Sequence, residues 1–212
     1  MHWYHHLQQH LFLLPGKAIF WKEHSTLLIA DPHFGKVTHF RKAGIAIPGQ
    51  AAHENLWRLE QLITTHQPSK VIFLGDLFHS EMNTEWLMFR EFLKKYPEVN
   101  FILIKGNHDI LHQHSYSNST MEVHEALAIG PYYLTHEPED HPVLYNLSGH
   151  LHPGVRMVGR GRQRMRLPCF FFGRNKGILP AFGEFTGLHI LQPEKNDRIF
   201  VVTENSVIPI NS

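Results

Sequence analysis

Aspartate, asparagine and histidine recur in this 212-residue chain at five places where an apolar run ends. Asp31 and His33 follow Leu27-Leu28-Ile29-Ala30, and Asp76 follows Val71-Ile72-Phe73-Leu74-Gly75. Asn107, His108 and Asp109 come after Phe101-Ile102-Leu103-Ile104, His136 after Tyr132-Tyr133-Leu134, and His150 and His152 after Leu144-Tyr145-Asn146-Leu147. Asp31, His33, Asp76, Asn107, His136, His150 and His152 together offer enough carboxylate, amide and imidazole donors for two borderline divalent ions. Such a mixed donor set selects Mn, Fe or Zn over Ca or Mg. Two ions roughly 3.5–4 Å apart, joined by a bridging carboxylate, can hold both the attacking and the leaving oxygen of an in-line displacement at phosphorus. One strand ending in Gly-Asp is an ordinary turn. Five polar strand ends in succession are hard to obtain by chance.

The apolar runs read as buried strands, which lines the five ends up along one rim of a sheet. Short strands are predicted over 10–14, 17–22 and 26–30, with Pro15-Gly16 turning the first pair. A helix is predicted over 50–66, where Ala51, Leu56, Leu59, Leu62 and Ile63 keep near-helical spacing. A second is predicted over 83–95, with Trp86, Phe89 and Leu93 inward and Pro97 as its stop. Residues 41–48 read as a loop. Strand–helix alternation up to about Asn107 implies parallel pairing. The short, Gly- and Pro-separated strands beyond Asp109 imply antiparallel pairing. The expectation is an α/β single domain over 1–212, two sheets sandwiched and flanked by helices.

No run approaches 18 apolar residues, and the amino terminus lacks the basic start and cleavage site of an export signal. A soluble, cytoplasmic protein with no membrane partner is expected. The single cysteine, Cys169 between Pro168 and Phe170, cannot pair internally and reads as a small buried hydrophobe. Of the 19 histidines, His2, His5 and His6 read as solvated surface groups. A formal net charge of +1 excludes a global field that would attract nucleic acid, so any anion-binding surface must be local. One local candidate follows the last histidines: Arg156, Arg160, Arg162, Arg164, Arg166, Arg174 and Lys176, with no Asp or Glu anywhere from 141 to 183. It reads either as a grip on a phosphate backbone or as a solvated edge strand guarded by charge.

Asp31 with His33, Gly75-Asp76, Gly106-Asn107-His108-Asp109, His136 and Gly149-His150-Leu151-His152 resemble the full motif set of the calcineurin-like metallophosphoesterases. The resemblance implies a four-layered α/β/β/α sandwich. It also implies Asp31, His33, Asp76 and His152 on one metal and Asp76, Asn107, His136 and His150 on the other, with Asp76 bridging. His108, beside Asn107, is then placed to stabilise the transition state and protonate the leaving oxygen. Asp109 either orients its loop or ring, or simply caps the loop. His79, three residues beyond Asp76, is either a second catalytic histidine or a solvent-facing loop residue. The run Gly75-Asp76-Leu77-Phe78-His79-Ser80 is more similar to the DNA-repair nuclease branch than to the protein serine/threonine phosphatases.

Asp31-Pro32-His33-Phe34-Gly35-Lys36, the stretch 40–48, and the run from Leu179 to Gly187 resemble the bacterial DNA-ligase-associated phosphoesterases, the PdeM type. That likeness implies a metal-dependent phosphodiesterase or endonuclease acting on DNA in repair. A DNA ligase, a helicase and an exonuclease would be its functional neighbours. Two divalent metal ions are implied, manganese first, with iron or zinc as alternatives. Pro32 stands where leucine is more usual and removes no donor. Two other readings of the chain are a phosphatase for small phosphomonoesters or nucleotides, and a DNA-binding subunit with a structural metal cluster.

Overall fold

The run Val71-Ile72-Phe73-Leu74 is apolar at every position because both of its faces are covered. Val71 and Phe73 point into a core shared with helices, Ile72 and Leu74 into a core shared with a second sheet, and all four are fully buried. The computed structural model describes residues 1–36, 51–78, 84–107, 109, 121–159, 161, 163–184 and 186–210. His79, His108, Arg160, Arg162 and the loop expected over 41–48 lie outside them.

Among the described residues the first sheet has the order β1 (His2–His6), β2 (Gln9–Leu14), β3 (Ala18–Trp21), β4 (Thr26–Ile29), β5 (Lys70–Leu74), β6 (Asn100–Ile104) and β7 (Met121–His124). Strands β1 to β4 pair antiparallel, and β4 to β7 pair parallel. Helix α1 (Ala51–His66) carries the chain from β4 back to β5, and α2 (Thr84–Lys94) from β5 to β6. Their apolar stripes, Leu59, Leu62 and Ile63 on α1 and Trp86, Phe89 and Leu93 on α2, bury against one face of this sheet.

The second sheet contains β8 (Leu127–Ile129), β9 (Tyr132–Leu134), β10 (Tyr145–Ser148), β11 (Pro153–Val158), β12 (Arg164–Phe172), β13 (Lys176–Ile178), β14 (His189–Ile190), β15 (Arg198–Val202) and β16 (Val207–Ile210). Its main path runs β14-β11-β12-β13-β10-β9-β8, with β15 and β16 continuing from β12. The inner faces of the two sheets enclose Leu28, Ile72, Leu74 and Ile102 from one side and Leu134, Leu147, Phe170 and Phe172 from the other. The expected single-domain sandwich is therefore present. Both α1 and α2 lie on the first sheet, and on the second sheet's outer face Val155, Cys169, Ile199 and Val201 form a small apolar cluster.

Three readings of the sequence change. The C-terminal half is not wholly antiparallel: β10 pairs parallel with both β9 and β13. That alignment lets the chain leave β9 and β10 at the same end, which brings His136 close to His150 and His152. Strand β1 was hidden because its residues alternate between half-buried and exposed and include three histidines. His6 is also not a solvated group. Its Nδ1 is 3.0 Å from the Tyr132 hydroxyl, which itself donates to the His6 carbonyl, and the ring packs edge-on against Tyr145. Cys169 is buried as expected, and burial pushes its thiol up to about 12, far from nucleophilic use.

Burial lowers the His6 pKa to about 4, with the neighbouring His5 charge adding to the effect. The unfolded chain therefore takes up this proton first, so the stability contributed by neutral His6 is present above about pH 6.5 and is lost as the pH falls towards 4. His6→Phe is expected to forfeit about 1 kcal/mol at pH 7.5 through the lost hydrogen bond. It should also flatten the acid slope by about 1–2 kcal/mol, after allowance for solvent screening. Urea unfolding at pH 7.5 and 4.5 measures both, and an unchanged difference between the two pH values counts against this reading of His6.

Candidate metal centre

The polar strand ends gather at a seam rather than along one rim. Asp31 and His33 follow β4, Asp76 follows β5 and Asn107 follows β6 in the first sheet, while His136 follows β9 and His150 and His152 follow β10 in the second. Backbone bonds lock the loops together: His33 N to Asp76 O at 3.0 Å, Phe34 N to Leu77 O at 2.9 Å and Gly149 N to His136 O at 3.0 Å. The His150 N–H donates to Asp31 Oδ2 at 2.9 Å and joins the two sheets. Five of the seven predicted ligands hold left-handed backbone: Asp31 (φ 50°), His33 (45°), Asp76 (50°), His150 (67°) and His152 (50°). Non-glycine residues rarely adopt that conformation, and its clustering at one place is the mark of a site held under constraint.

The histidine geometry fixes where the lone pairs point. Nδ1 of His136 donates to the Leu74 carbonyl at 3.0 Å, which leaves Nε2 as the ring nitrogen turned into the cluster. That Nε2 faces Asn107 Oδ1 at 3.0 Å, His150 Nδ1 at 3.1 Å and Asp76 Oδ1 at 3.4 Å. The other oxygen of the same carboxylate, Asp76 Oδ2, lies 4.0 Å from His33 Nε2, which in turn is 3.4 Å from His152 Nε2. The two oxygens of Asp76 thus face two separate donor groups.

Asp31 and Asp76 are both buried, and donor atoms of Asp31, His33 and His152, and of Asp31, Asp76 and His136, lie within 4.8 Å of one another. Among the described residues Asp31 Oδ1 accepts no hydrogen bond although it is buried, and His152 Nε2 is 3.7 Å away. Carboxylates buried this close, with an oxygen lacking a donor, need positive charge. The oxygen and imidazole donors fit a divalent cation of the Mn, Fe or Zn kind.

Asp109 sits behind this cluster, 2% exposed. It accepts from Leu77 N at 2.9 Å and Gly106 N at 2.8 Å, which ties the Asp76 loop to the Asn107 loop. Burial pushes its carboxyl up to about 6 against those hydrogen bonds, with the Asp76 charge adding to the rise. These two backbone bonds hold the loops together. Arg156, Arg164 and Arg166 stand apart from the cluster, exposed on β11 and β12.

A second support was missed in the sequence. Asn55 on α1 donates to the carbonyl of Pro32, between two of the predicted ligands, at 3.2 Å. Arg58, one turn on, binds Asn55 Oδ1, Glu184 Oε1 and the Phe182 carbonyl, and lies over the Phe182 ring. Phe182 and Gly183 in turn donate to the Ala30 and Asp31 carbonyls. The only sequence signals were a polar pair on a helix and the Phe182-Gly183-Glu184 run, and neither reveals that the two meet. A cleft of about 740 Å³ opens beside Asn107 and His136, with Glu125, Glu137 and Glu139 on its walls.

The calcineurin-like phosphoesterase family model matches residues 24–151, a span that holds every predicted ligand except His152. The chain is similar to the crystal structure of the Pseudomonas putida nuclease MPE, with 30% sequence identity, 99% of each chain covered and a TM-score of 0.82. It also matches the structure of Yfce, a phosphoesterase from E. coli, at 15% identity over 86% of this chain and 96% of that one, with a TM-score of 0.44, too low to carry an argument. None of the curated proteins matches. Seam, buried acids and family match agree: this chain belongs to the calcineurin-like phosphoesterases and is a metal-dependent phosphoester hydrolase.

Proposed function

We propose that the chain is a phosphodiesterase that cleaves nucleic acid at a pair of divalent ions. Asp31, His33, Asp76 and His152 would hold one ion and Asp76, Asn107, His136 and His150 the other. The observation that carries this reading is the placement of the two Asp76 oxygens, one towards His136 and Asn107 and one towards His33. When bound, such a pair supplies Lewis-acid charge for an in-line displacement at phosphorus. Manganese is the first candidate, with iron or zinc as alternatives. The residues around the ions do the rest: Leu74 sets the His136 tautomer, and Asp109 holds two ligand loops in register. His108 is assigned the proton for the leaving oxygen and His79 a supporting catalytic role.

Nucleic acid as substrate is supported by the likeness to the Pseudomonas putida nuclease and by the run of arginines after His152. A place in DNA repair, with a DNA ligase, a helicase and an exonuclease as neighbours in the cytoplasm, follows the resemblance of the flanking motifs. No helix among the described residues is long and apolar enough to cross a membrane. Hydrolysis of bis(p-nitrophenyl) phosphate and of p-nitrophenyl phosphate with Mn²⁺ tests the reaction class. The diester is expected to turn over at least as fast as the monoester, and single-stranded DNA to be cut under the same conditions. A much higher rate on the monoester, with DNA left intact, would replace this reading by a small-molecule phosphatase.

A further inference from the structure

Strands β10 and β13 run parallel, and β12 runs against β13, with Ser148 level with Ile178 and Ile178 level with Phe171. Going back along β12 from Phe171 moves outward past Ser148, the last β10 residue before the His150–His152 loop. Arg166, paired with Arg156, lies five residues beyond that level, and Arg164, paired with Val158, seven. At about 3.3 Å per residue the hairpin of β11 and β12 overhangs the seam by roughly 17 to 23 Å. A backbone bond from Gly159 N to Gln163 O at 2.9 Å closes it near the tip.

The alternation of side chains along β12 decides which face looks where. Phe170 and Phe172 point into the core between the sheets, while Cys169 joins the outer cluster, against which Leu167 and Phe171 pack. By the same period of two, Arg164 and Arg166 continue the inner face, joined across the ladder by Arg156. Met157 and Met165 take the outer face. The inner face is the one turned towards the first sheet, whose rim carries Asp31 and Asp76. Arg156 directly opposite Arg166 is unfavourable for folding on its own, since like charges across a ladder repel. On the far side of β10, the end of β9 carries Glu137 and Glu139. The seam is therefore flanked by anionic charge on one side and an overhanging cationic wall on the other.

We infer that the inner face of the β11–β12 hairpin, through Arg156, Arg164 and Arg166, is an arm that grips the sugar-phosphate backbone of a nucleic acid strand leaving the metal centre. This rests on the nuclease reading above and adds to it a direction and a length. The strand runs out along the arm, away from Glu137 and Glu139. Its grip lies about five to seven nucleotides from the scissile bond for a stacked strand, at ~3.4 Å per nucleotide. Substrates shorter than about five nucleotides would not reach the arm.

The triple variant Arg156→Ala/Arg164→Ala/Arg166→Ala and its Lys counterpart test the arm. Turnover of bis(p-nitrophenyl) phosphate and of a trinucleotide with Mn²⁺ should stay within about twofold of wild type in both variants. With a 20-nucleotide single strand, the Ala variant should lose about 10- to 100-fold in kcat/KM at ~50 mM salt. Fluorescence anisotropy with that strand should show the slope of log affinity against log salt reduced by about 2, three contacts at ~0.7 each. The Lys variant should keep the wild-type slope. Equal losses on the short and long substrates, or an unchanged salt slope, would overturn the arm. If wild type binds the strand but cuts no oligonucleotide, the nuclease reading fails by itself, and the anisotropy slopes still decide the arm. No binding by wild type overturns both.

Discussion

Replacing Asp76 by asparagine is expected to lower kcat on a diester by at least about 10³-fold, the scale of the roughly 4 kcal/mol that metal charge contributes to such a transition state. Its amide can offer one oxygen, whereas the wild-type carboxylate presents Oδ1 towards His136 and Oδ2 towards His33. Stability should change in opposite senses with and without metal. In EDTA, removing one of two neighbouring buried carboxylates relieves repulsion with Asp31, so the variant should melt at or above the wild-type temperature. At a metal concentration about 100 times the dissociation constant, wild type gains ~2.7 kcal/mol by linkage, and the variant should lose most of that gain. Melting curves in EDTA and in Mn²⁺ separate this from a simple packing defect, which would destabilise both states alike.

Gly149→Ala should be strongly damaging although it removes no functional group. A methyl there would meet Asp31 Oδ2 at 2.5 Å, the Ala30 side chain at 2.8 Å and the Leu74 carbonyl at 3.1 Å. None of these is the far end of a flexible chain. Overpacking of this kind costs about 1–3 kcal/mol. The yielding atom is the Asp31 carboxylate or the loop that presents His150, so activity should fall by about 10²-fold, the usual result of misplacing a reacting constellation by ~1 Å. Gly187→Ala is the control, because among the described residues a methyl added there meets nothing within 4 Å. Urea unfolding and diester kinetics on the pair check this, and a fully active Gly149→Ala enzyme would show that the loops at the seam can shift freely.

The sequence was most legible where local chemistry decides the outcome. Four apolar residues in a row before Gly75-Asp76 reported a strand covered on both faces, and Leu59, Leu62 and Ile63 reported the buried stripe of α1. The order of polar residues after each strand identified the donors that gather at the seam. Other features depend on which distant segments meet. Strand β1 escaped because its register is set by β2 and its His6 by Tyr132 and Tyr145. The parallel placing of β10 could not be read from short strands between glycines and prolines. The ends were expected on one rim, yet two sheets share them, because a strand's periodicity says nothing about which sheet it joins. Asn55 and Arg58 lie on the polar side of an amphipathic helix, and only the arrival of Phe182 to Glu184 gives them a task.

The most direct measurement is an anomalous difference map from crystals grown with Mn²⁺. Two peaks about 3.5–4 Å apart are expected, one on each side of the Asp76 carboxylate, the nearer to His33 and His152 and the other to Asn107, His136 and His150. A single peak, or a pair of which Asp76 touches only one, would contradict the shared centre on which the proposed reaction depends.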